Sequence, residues 1–322
     1  MYRRHLLAGA AALMALAAGA AQAADQVSLR LNWILIGQHP PYYLGKDLGF
    51  YEQEGIDLTI NEGRGSGVAV QLVANGEDDF GLADTGAVIS ARAKGAPVTV
   101  IMSLFETSNL GVIARADAGI GDIQDIKGKG IAVTAGDALA QVFPALLSAN
   151  GIERDAVNLQ FMDPAAKPLA VINGTSHALL GGIDDQTVVI EAKGVPTKVL
   201  RFADYGVNTL TVAAFTSLAM AEEKPDLVKR FVRATQKSWK AAMEDPDAAV
   251  AAAAKAKPDI DTAILKAQLM KSLPLVGGRG EEPLGYAPPE LWDQTLDIMK
   301  TYRDLQTDVP THEHYDYRFL EN

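Results

Sequence analysis

One unit repeats along the chain from Val27 onward and limits what the chain can fold into. A short apolar run is followed by a turn rich in glycine or polar residues, and then by a helical pattern of about three turns. This alternation is typical of α/β domains built on a mostly parallel sheet. The predicted strands are Ser28–Trp33, Asp57–Asn61, Phe80–Ala83, Val98–Met102, Gly111–Ala114, Ile131–Thr134, Val157–Phe161, Ala178–Leu180, Thr197–Arg201 and Leu210–Phe215.

The pattern changes after Phe215, where the strand-like runs end. Helical segments separated by Pro, Gly and Asp follow, and they are Pro225–Ala242, Pro246–Ala256, Asp261–Ser272 and Pro288–Leu305. A βα array that finishes in helices alone predicts a helical C-terminal tail, packed on domains that the earlier residues have already built.

Composition and charge exclude several classes of function. The 322 residues include no cysteine, which excludes disulfides, thiolate metal sites and a cysteine nucleophile. A formal net charge of −11 argues against a nucleic acid partner, because binding phosphates requires a basic face. His312 and His314 form a His-x-His pair, but no further ligand completes a coordination sphere there. We therefore expect no metal and no cofactor.

The N-terminus has the pattern of a secretory signal peptide. Arg3 and Arg4 precede an Ala/Leu run, and Ala21-Gln22-Ala23 matches an A-x-A cleavage site. We expect residues 1–23 to be removed and the remaining chain to be periplasmic.

Several phrases of the sequence, in this order, resemble the NMT1/THI5-like branch of ABC-transporter substrate-binding proteins. They are "LRLNWILIGQHPPYYLGKDLGFYEQEGIDLTI", "GSGVAVQLVANGEDDFGLADTGAVISARAKGAPVTVI", "IGDIQDIKGKGIAVTAGD" and "INGTSHALLGG". The similarity covers roughly residues 25 to 305.

The resemblance implies an α/β fold of the periplasmic binding protein type II, in which two α/β lobes are joined by two crossover strands and close over a ligand. The crossings are expected near Ser108–Ala114 and Asn208–Phe215. Lobe 1 would comprise residues 24–110 and 213–322, and lobe 2 residues 111–212. The implied partners are a small-molecule ligand and the membrane permease and ATPase of an ABC importer. We expect the protein itself to be a monomer.

Ligands of open α/β sheets bind at the carboxyl ends of strands, where helix N-termini present unpaired N–H groups. The candidate ligand-binding residues are therefore those that follow the predicted strands. In the first lobe and its crossover they are Asn32, Trp33, His39, Tyr42, Glu62, Gly65, Ser66, Asp84, Thr85, Phe105, Ser108 and Asn109. In the second lobe and its crossover they are Thr134, Gly136, Asp137, Gly182, Asp184, Tyr205 and Asn208.

Some of these candidates have a purely structural alternative. Trp33 can stack on a ligand or pack in the core, since an aromatic ring buries a large area in either role. Asp84 and Asp184 can contact a ligand or cap a helix. The Gly63–Gly67 run lacks the Lys-Ser/Thr of a phosphate loop, so it is either a backbone that approaches a ligand closely or a simple turn.

Acidic groups beside aromatic rings favour a flat heterocycle with N–H donors as ligand, because π-faces stack and carboxylates accept hydrogen bonds. We expect a thiamine-precursor pyrimidine or a similar heterocycle, which the protein captures and delivers to a permease. A sulfonate, nitrate or another small anion is the alternative in the same role. An enzyme like the pyrimidine synthases of the same superfamily is a further alternative. We do not expect an enzyme, because those synthases carry a cysteine-rich motif, whereas this chain has no cysteine and begins with a signal peptide pattern.

Overall fold

The structure, a computed structural model, describes residues 23–277, 281–303 and 305–321. The predicted signal peptide lies outside the described residues except for Ala23. A strand is found at each of the predicted apolar runs. The strands are β1 (Asp25–Arg30), β2 (Ile56–Asn61), β3 (Phe80–Asp84), β4 (Val98–Ser103), β5 (Leu110–Arg115), β6 (Gly130–Val133), β7 (Asn158–Phe161), β8 (Ala178–Gly182), β9 (Thr197–Arg201) and β10 (Val212–Ser217).

Helices alternate with the strands and then form the C-terminal region on their own. They are α1 (Pro40–Asp47), α2 (Phe50–Gln53), α3 (Ser66–Ala74), α4 (Thr85–Arg92), α5 (Ala138–Ala149), α6 (Ala166–Ile172), α7 (Gln186–Glu191), α8 (Leu218–Glu223), α9 (Pro225–Glu244), α10 (Pro246–Ala256), α11 (Thr262–Ser272) and α12 (Pro289–Arg303). Short 3₁₀ turns lie at Ile123–Ile126, Arg154–Ala156, Phe202–Tyr205, Leu273–Leu275, Thr311–Glu313 and Tyr317–Phe319. Within the described part of the chain, no helix is both long and apolar enough to cross a membrane.

Each of two lobes is built on one five-stranded sheet. The strand order is β2-β1-β3-β10-β4 in lobe 1 and β7-β6-β8-β5-β9 in lobe 2. Four strands of each sheet share one direction, whereas β10 runs antiparallel to β3 and β4, and β5 runs antiparallel to β8 and β9. Both of these strands come directly after the chain has crossed from the other sheet. The predicted mostly parallel sheets, paired lobes and helical tail are thus confirmed.

The chain passes between the sheets in residues 104–109 and again in residues 202–211. The two passages touch, since the Ser108 backbone N–H donates to Asn208 Oδ1 at 3.3 Å. The exact boundaries of the lobes stay a prediction: residues 24–110 and 213–322 for lobe 1, and residues 111–212 for lobe 2.

Acidic caps fix where two helices begin at the carboxyl ends of their strands. Asp84 Oδ1 accepts from the Gly86 N–H at 2.9 Å at the start of α4. Asp137 Oδ1 accepts from the Ala140 N–H at 2.6 Å at the start of α5. Each cap satisfies a donor that the first helical turn leaves unpaired, so both helices point their N-termini toward the space between the lobes.

Each lobe has its own apolar core. In lobe 1 the ring of Phe80 stacks on Phe231 of α9, with 3.9 Å between ring centroids. In lobe 2 Phe143 of α5 and Phe202 are fully buried against the second sheet.

The C-terminal helix α12 packs on both lobes. Trp292 and Met299 lie in the core of lobe 1, and Ile298 packs in the core of lobe 2. The Thr295 hydroxyl oxygen accepts from the Leu210 N–H at 2.9 Å, which attaches the helix to the second passage between the sheets. The helix therefore lies along the side where the lobes are joined.

Candidate functional site

A cavity of about 70 Å³ lies between the two lobes at the carboxyl ends of the strands. Both lobes and both passages between the sheets contribute to its walls. It is lined by Asn32, Trp33, Ile36, Gln38, Ser66, Asp84, Asn109, Leu110, Asp137, Leu139, Lys167, Gly181, Gly182, Asp185, Gln186, Thr211 and Val212. The volume holds several water molecules, so the space suits a small guest rather than a polymer.

The lobes contact each other on two sides of the cavity. On one side the Gly67 N–H donates to the Gly136 carbonyl at 3.0 Å. Gly65 has a φ of +133°, and a β-carbon there would lie 2.9 Å from the same carbonyl. On the other side Ser272 of α11 donates to Asp184 Oδ2 at 2.6 Å. The structure is therefore that of a closed cleft.

A buried lysine joins the aromatic and acidic parts of the site. Lys167 at the start of α6 donates to Asp137 Oδ2 at 3.1 Å and to the Leu180 carbonyl at 2.8 Å. Its Nζ also lies 4.8 Å from the centroid of the Trp33 ring, which comes from the other lobe. The contact is a cation–π interaction across the cleft. Trp33 is only 7% exposed and still lines the cavity.

Four buried polar atoms of the cavity walls have no hydrogen-bond partner within the described protein. They are Gln38 Oε1, Asp185 Oδ1, Gln186 Oε1 and Thr211 Oγ1. The first three are oxygens of amide or carboxyl groups, and only the last is a hydroxyl. Burying such an atom without a partner costs about 1–3 kcal/mol. A ligand that donates hydrogen bonds to these atoms would remove that cost.

Two neighbouring carboxyl groups have unusual electrostatics. Burial, followed by the negative charge of Asp184, raises the pKa of Asp185 to about 7. Burial also raises the pKa of Asp184, although hydrogen bonds from Ser272 and from Asn109 oppose the effect. The cavity thus contains a carboxyl group that can gain or lose a proton near neutral pH.

A polar cluster behind the cavity wall orients the loop after β1. His39 Nδ1 accepts from the Ile36 N–H at 3.1 Å, and its Nε2 lies 2.9 Å from Asn32 Oδ1. The acceptor role of Nδ1 places the proton on Nε2, which then donates to Asn32. Complete burial lowers the pKa of His39 to about 3, so the ring is neutral at physiological pH. Gln38 Nε2 also donates to Asn32 Oδ1, at 3.0 Å.

The structure brings part of the predicted set together at the cavity. Seven predicted residues line it, and they are Asn32, Trp33, Ser66, Asp84, Asn109, Asp137 and Gly182. Five others hydrogen-bond to a lining residue, namely His39, Gly65, Thr85, Thr134 and Asp184, and Gly136 directly precedes the lining residue Asp137.

Tyr42 and Phe105 require a correction, because neither reaches the cavity. Tyr42 is fully buried, and its ring meets Trp239 of α9 edge to face at 6.1 Å. Phe105 is fully buried in the same core. Both rings follow a strand as predicted, but the core of lobe 1 lies closer to them than the cleft does, so burial against apolar neighbours determines where they point.

Four further predicted residues also lie away from the cavity. The Glu62 carboxylate accepts from the Leu35 N–H and pairs with Lys257 on the outside of lobe 1. Ser108 and Asn208 connect the two passages between the sheets. Tyr205 donates to Asp122 at 3.4 Å on the outer face of lobe 2. Each is satisfied by a protein partner, so none of the four points a group toward a guest.

The prediction missed Lys167 and Gln186, which line the cavity. Lys167 follows β7, and the residues after that strand were not included among the candidates. Extending the strand-end rule to β7 would have found it, because a lone lysine stands there in the otherwise apolar stretch Pro164–Ile172. Among the described residues no group of His, Asp and Glu is placed to hold a metal ion.

A pair of α/β lobes closing on a cavity at their strand ends defines the class of periplasmic binding proteins. The alkanesulfonate-binding protein SsuA from Xanthomonas axonopodis pv. citri, bound to MOPS, has this fold with a TM-score of 0.72 and 16% sequence identity. The match covers 90% of this chain and 98% of that chain. Residues 36–249 match the family described as NMT1/THI5 like, and the chain belongs to that family.

Curated relatives of the chain carry two kinds of names. The 4-amino-5-hydroxymethyl-2-methylpyrimidine phosphate synthase of Legionella pneumophila is 30% identical over 258 residues, covering 78% of this chain and 79% of the synthase. The riboflavin-binding protein RibY of Chloroflexus aurantiacus is 25% identical over 306 residues, covering 92% of this chain and 86% of RibY.

The first of these relatives corrects our expectation that the chain is not an enzyme. A protein that matches over more than three quarters of both chains is named as a synthase. The expectation rested on the absence of cysteine and on the predicted signal peptide, whereas the similarity to the synthase extends over most of the fold.

Proposed function

We propose that the protein binds a small flat nitrogen heterocycle, a thiamine-precursor pyrimidine or a similar molecule, in the cavity between the lobes. One observation carries the proposal: three buried oxygens of Gln38, Asp185 and Gln186 line that cavity, and none of them has a hydrogen-bond partner among the described residues. A ring bearing amino or imino N–H groups supplies the donors that these oxygens lack. Trp33 beside them offers an aromatic face on which the ring can stack.

The role that we propose is capture in the periplasm and delivery to the permease and ATPase of an ABC importer. The fold supports this role, because a solved protein with the same fold binds alkanesulfonates. RibY supports a heterocyclic ligand in particular, since its name states that it binds riboflavin. Ligand would bind one lobe of the open form and gain contacts with the other lobe when the cleft closes.

Synthesis of a pyrimidine phosphate is the second candidate function. The similarity to the Legionella synthase favours it. One group of the cavity suits proton transfer, namely Asp185, with its pKa of about 7. Both candidate functions require binding of a heterocycle. A transport protein releases that molecule chemically unchanged, whereas a synthase converts it.

A thermal-shift panel tests the ligand class. Purified protein is mixed with pyrimidines, flavins, alkyl sulfonates or nitrate, and the melting temperature is measured. We expect an increase with a pyrimidine or a flavin, because a ligand that binds only the folded state stabilises it. An increase confined to sulfonates or nitrate would contradict the proposal and support the alternative of a small anion.

Mass spectrometry of the same mixtures separates the two candidate functions. A transport protein returns the added heterocycle chemically intact after denaturation. Steady conversion of the molecule by the protein would support the synthase. The variant Tyr205→Phe is the control in both assays, because Tyr205 lies on the outer face of lobe 2 and its replacement should leave binding unchanged.

A further inference from the structure

Two neighbouring carboxyl groups meet at the interface between the lobes. A β-carbon on Gly182 would lie 2.4 Å from Asp185 Oδ1 and 2.9 Å from Asp184 Oδ1, so both oxygens crowd the same point. The two residues are 3% and 4% exposed. Two carboxylates that share so small a buried space repel each other unless one of them holds a proton.

Helix α11 of lobe 1 covers this pair from the opposite side of the cleft. Ser272 Oγ donates to Asp184 Oδ2 at 2.6 Å, and Gln268 Nε2 donates to the Asp185 carbonyl at 3.2 Å. The helix itself packs on α10 in lobe 1, whereas the two aspartates follow β8 in lobe 2. These hydrogen bonds therefore exist only while the cleft is closed.

The cations that face the pair are each paired with another carboxylate. Lys167 of α6, on the cavity side, lies 3.1 Å from Asp137. Lys271 of α11, on the other side, lies 3.9 Å from Glu191 at the end of α7. The remaining neighbours that contact the two carboxyl groups are neutral amides and hydroxyls. Because each lysine already pairs with another carboxylate, the two lysines do not fully neutralise the negative charges of Asp184 and Asp185.

We propose that Asp184, Asp185 and helix α11 form a latch whose closing takes up one proton. In the open cleft both carboxyl groups face water and are ionised. When α11 covers them, one carboxylate takes a proton from solvent and becomes a carboxylic acid, which removes the repulsion. Opening returns that proton to solvent. The proposal rests on the proposed function only in requiring a cleft that opens and closes.

The direction of the pH effect follows from the closed geometry. Burial raises the pKa of both groups, and that of Asp185 reaches about 7. The closed form therefore binds more protons than the open form between about pH 4 and pH 7. Closing is favoured at acidic pH and loses this support as the pH rises through about 7.

Distance measurements on the ligand-free protein test the latch. The chain has no cysteine, so Gln71→Cys on α3 and Lys193→Cys after α7 give two unique, exposed labelling sites on opposite lobes. Nitroxide labels at these sites report the interlobe distance by double electron–electron resonance. We expect the ratio of closed to open molecules to fall about tenfold between pH 6 and pH 8.

Variants distinguish the latch from other titrating groups. Asp185→Asn should reduce the change in the ratio between pH 6 and pH 8, since only Asp184 is left to titrate, and Asp184→Asn should move the transition to lower pH because the neighbouring charge is gone. Ser272→Ala should lower the closed fraction at every pH and keep the pH dependence. Glu191→Gln is the matched control, since this exposed residue contacts α11 only through Lys271 and should behave as the wild type.

Three results would overturn the latch: no closed distance at any pH, a wild-type ratio that does not change with pH, or the same pH dependence in Asp185→Asn. Circular dichroism of each variant confirms that it is folded. Because no ligand is added, failure of the latch leaves the heterocycle proposal standing, and failure of the heterocycle panel leaves the latch standing.

Discussion

A buried carboxyl group affects stability differently below and above its pKa in the folded protein. Burial and the charge of Asp184 raise the pKa of Asp185 to about 7, whereas an unfolded aspartate titrates near about 4. Between these pH values the folded protein holds a proton that the unfolded chain has released. The favourable contribution of the group is therefore present below about pH 4 and is lost as the pH rises through about 7.

Asp185→Asn should raise the melting temperature at pH 8 by several degrees and change it little at pH 4.5. At pH 8 the substitution replaces a buried charge by a neutral amide, and at pH 4.5 the wild-type group is already neutral. Differential scanning calorimetry at both pH values measures the effect. Asp155→Asn, at an exposed position, is the control. An equal change at both pH values would show that Asp185 does not titrate as inferred.

Trp33→Ala should weaken binding of a stacked heterocycle by about 1–3 kcal/mol, by analogy with stacking of nucleic acid bases on aromatic rings. The ligand for this measurement is the pyrimidine or flavin that raises the melting temperature most. Isothermal titration calorimetry gives the affinity, and Trp33→Phe, which keeps an aromatic face, should recover part of it. Unchanged affinity in Trp33→Ala would remove Trp33 from the binding surface.

Strand-end positions could be predicted from the sequence at the level of single residues, but side-chain directions could not. Trp33 and Tyr42 both follow β1, and only Trp33 lines the cavity. The difference arises from Trp239 of α9, which packs against Tyr42 from almost 200 residues further along the chain. Which of two aromatic residues a distant helix covers is a matter of tertiary packing, and a local pattern does not contain it.

At the scale of elements, the N-terminus of α5 combines two tasks in one carboxylate. Asp137 Oδ1 caps the helix, and Oδ2 pairs with the buried amine of Lys167. A cap could be predicted from the sequence, because Asp precedes the helical pattern. The ion pair could not, since its partner comes from another helix 30 residues later.

Asp137→Ala should lower the free energy of unfolding by about 3–5 kcal/mol, because it leaves a buried lysine without its partner as well as an uncapped helix. Asp261→Ala is the matched control, since Asp261 caps α11 at an exposed position and has no ion-pair partner to lose within the described contacts. That variant should lose only about 1 kcal/mol. Chemical denaturation measures both. Equal losses would mean that the ion pair with Lys167 adds nothing beyond the cap.

At the scale of the whole molecule, the alternation of apolar runs and helical patterns predicted the mostly parallel arrangement of strands and the helical tail, and the division into two lobes was implied by the resemblance to the family. The sequence pattern does not predict the direction of single strands, because the apolar runs of β5 and β10 look like those of the other strands. They run antiparallel because the chain enters each of them from the other lobe. The two passages and α12 join the lobes, and the lobes also meet at Gly67–Gly136 and at Ser272–Asp184, so opening of the cleft must break both of these contacts.

Gly67→Phe tests that opening directly. A β-carbon at Gly67 would already lie 3.0 Å from the Gly136 carbonyl oxygen and from Gln141 Nε2, so a phenyl ring there holds the lobes apart. Small-angle X-ray scattering should show a smaller radius of gyration for the wild type when the pyrimidine or flavin is added, and no such decrease for Gly67→Phe. Val68→Phe, on the next and more exposed residue of α3, should still compact. Compaction of Gly67→Phe equal to that of the wild type would mean that the cleft does not close along this edge.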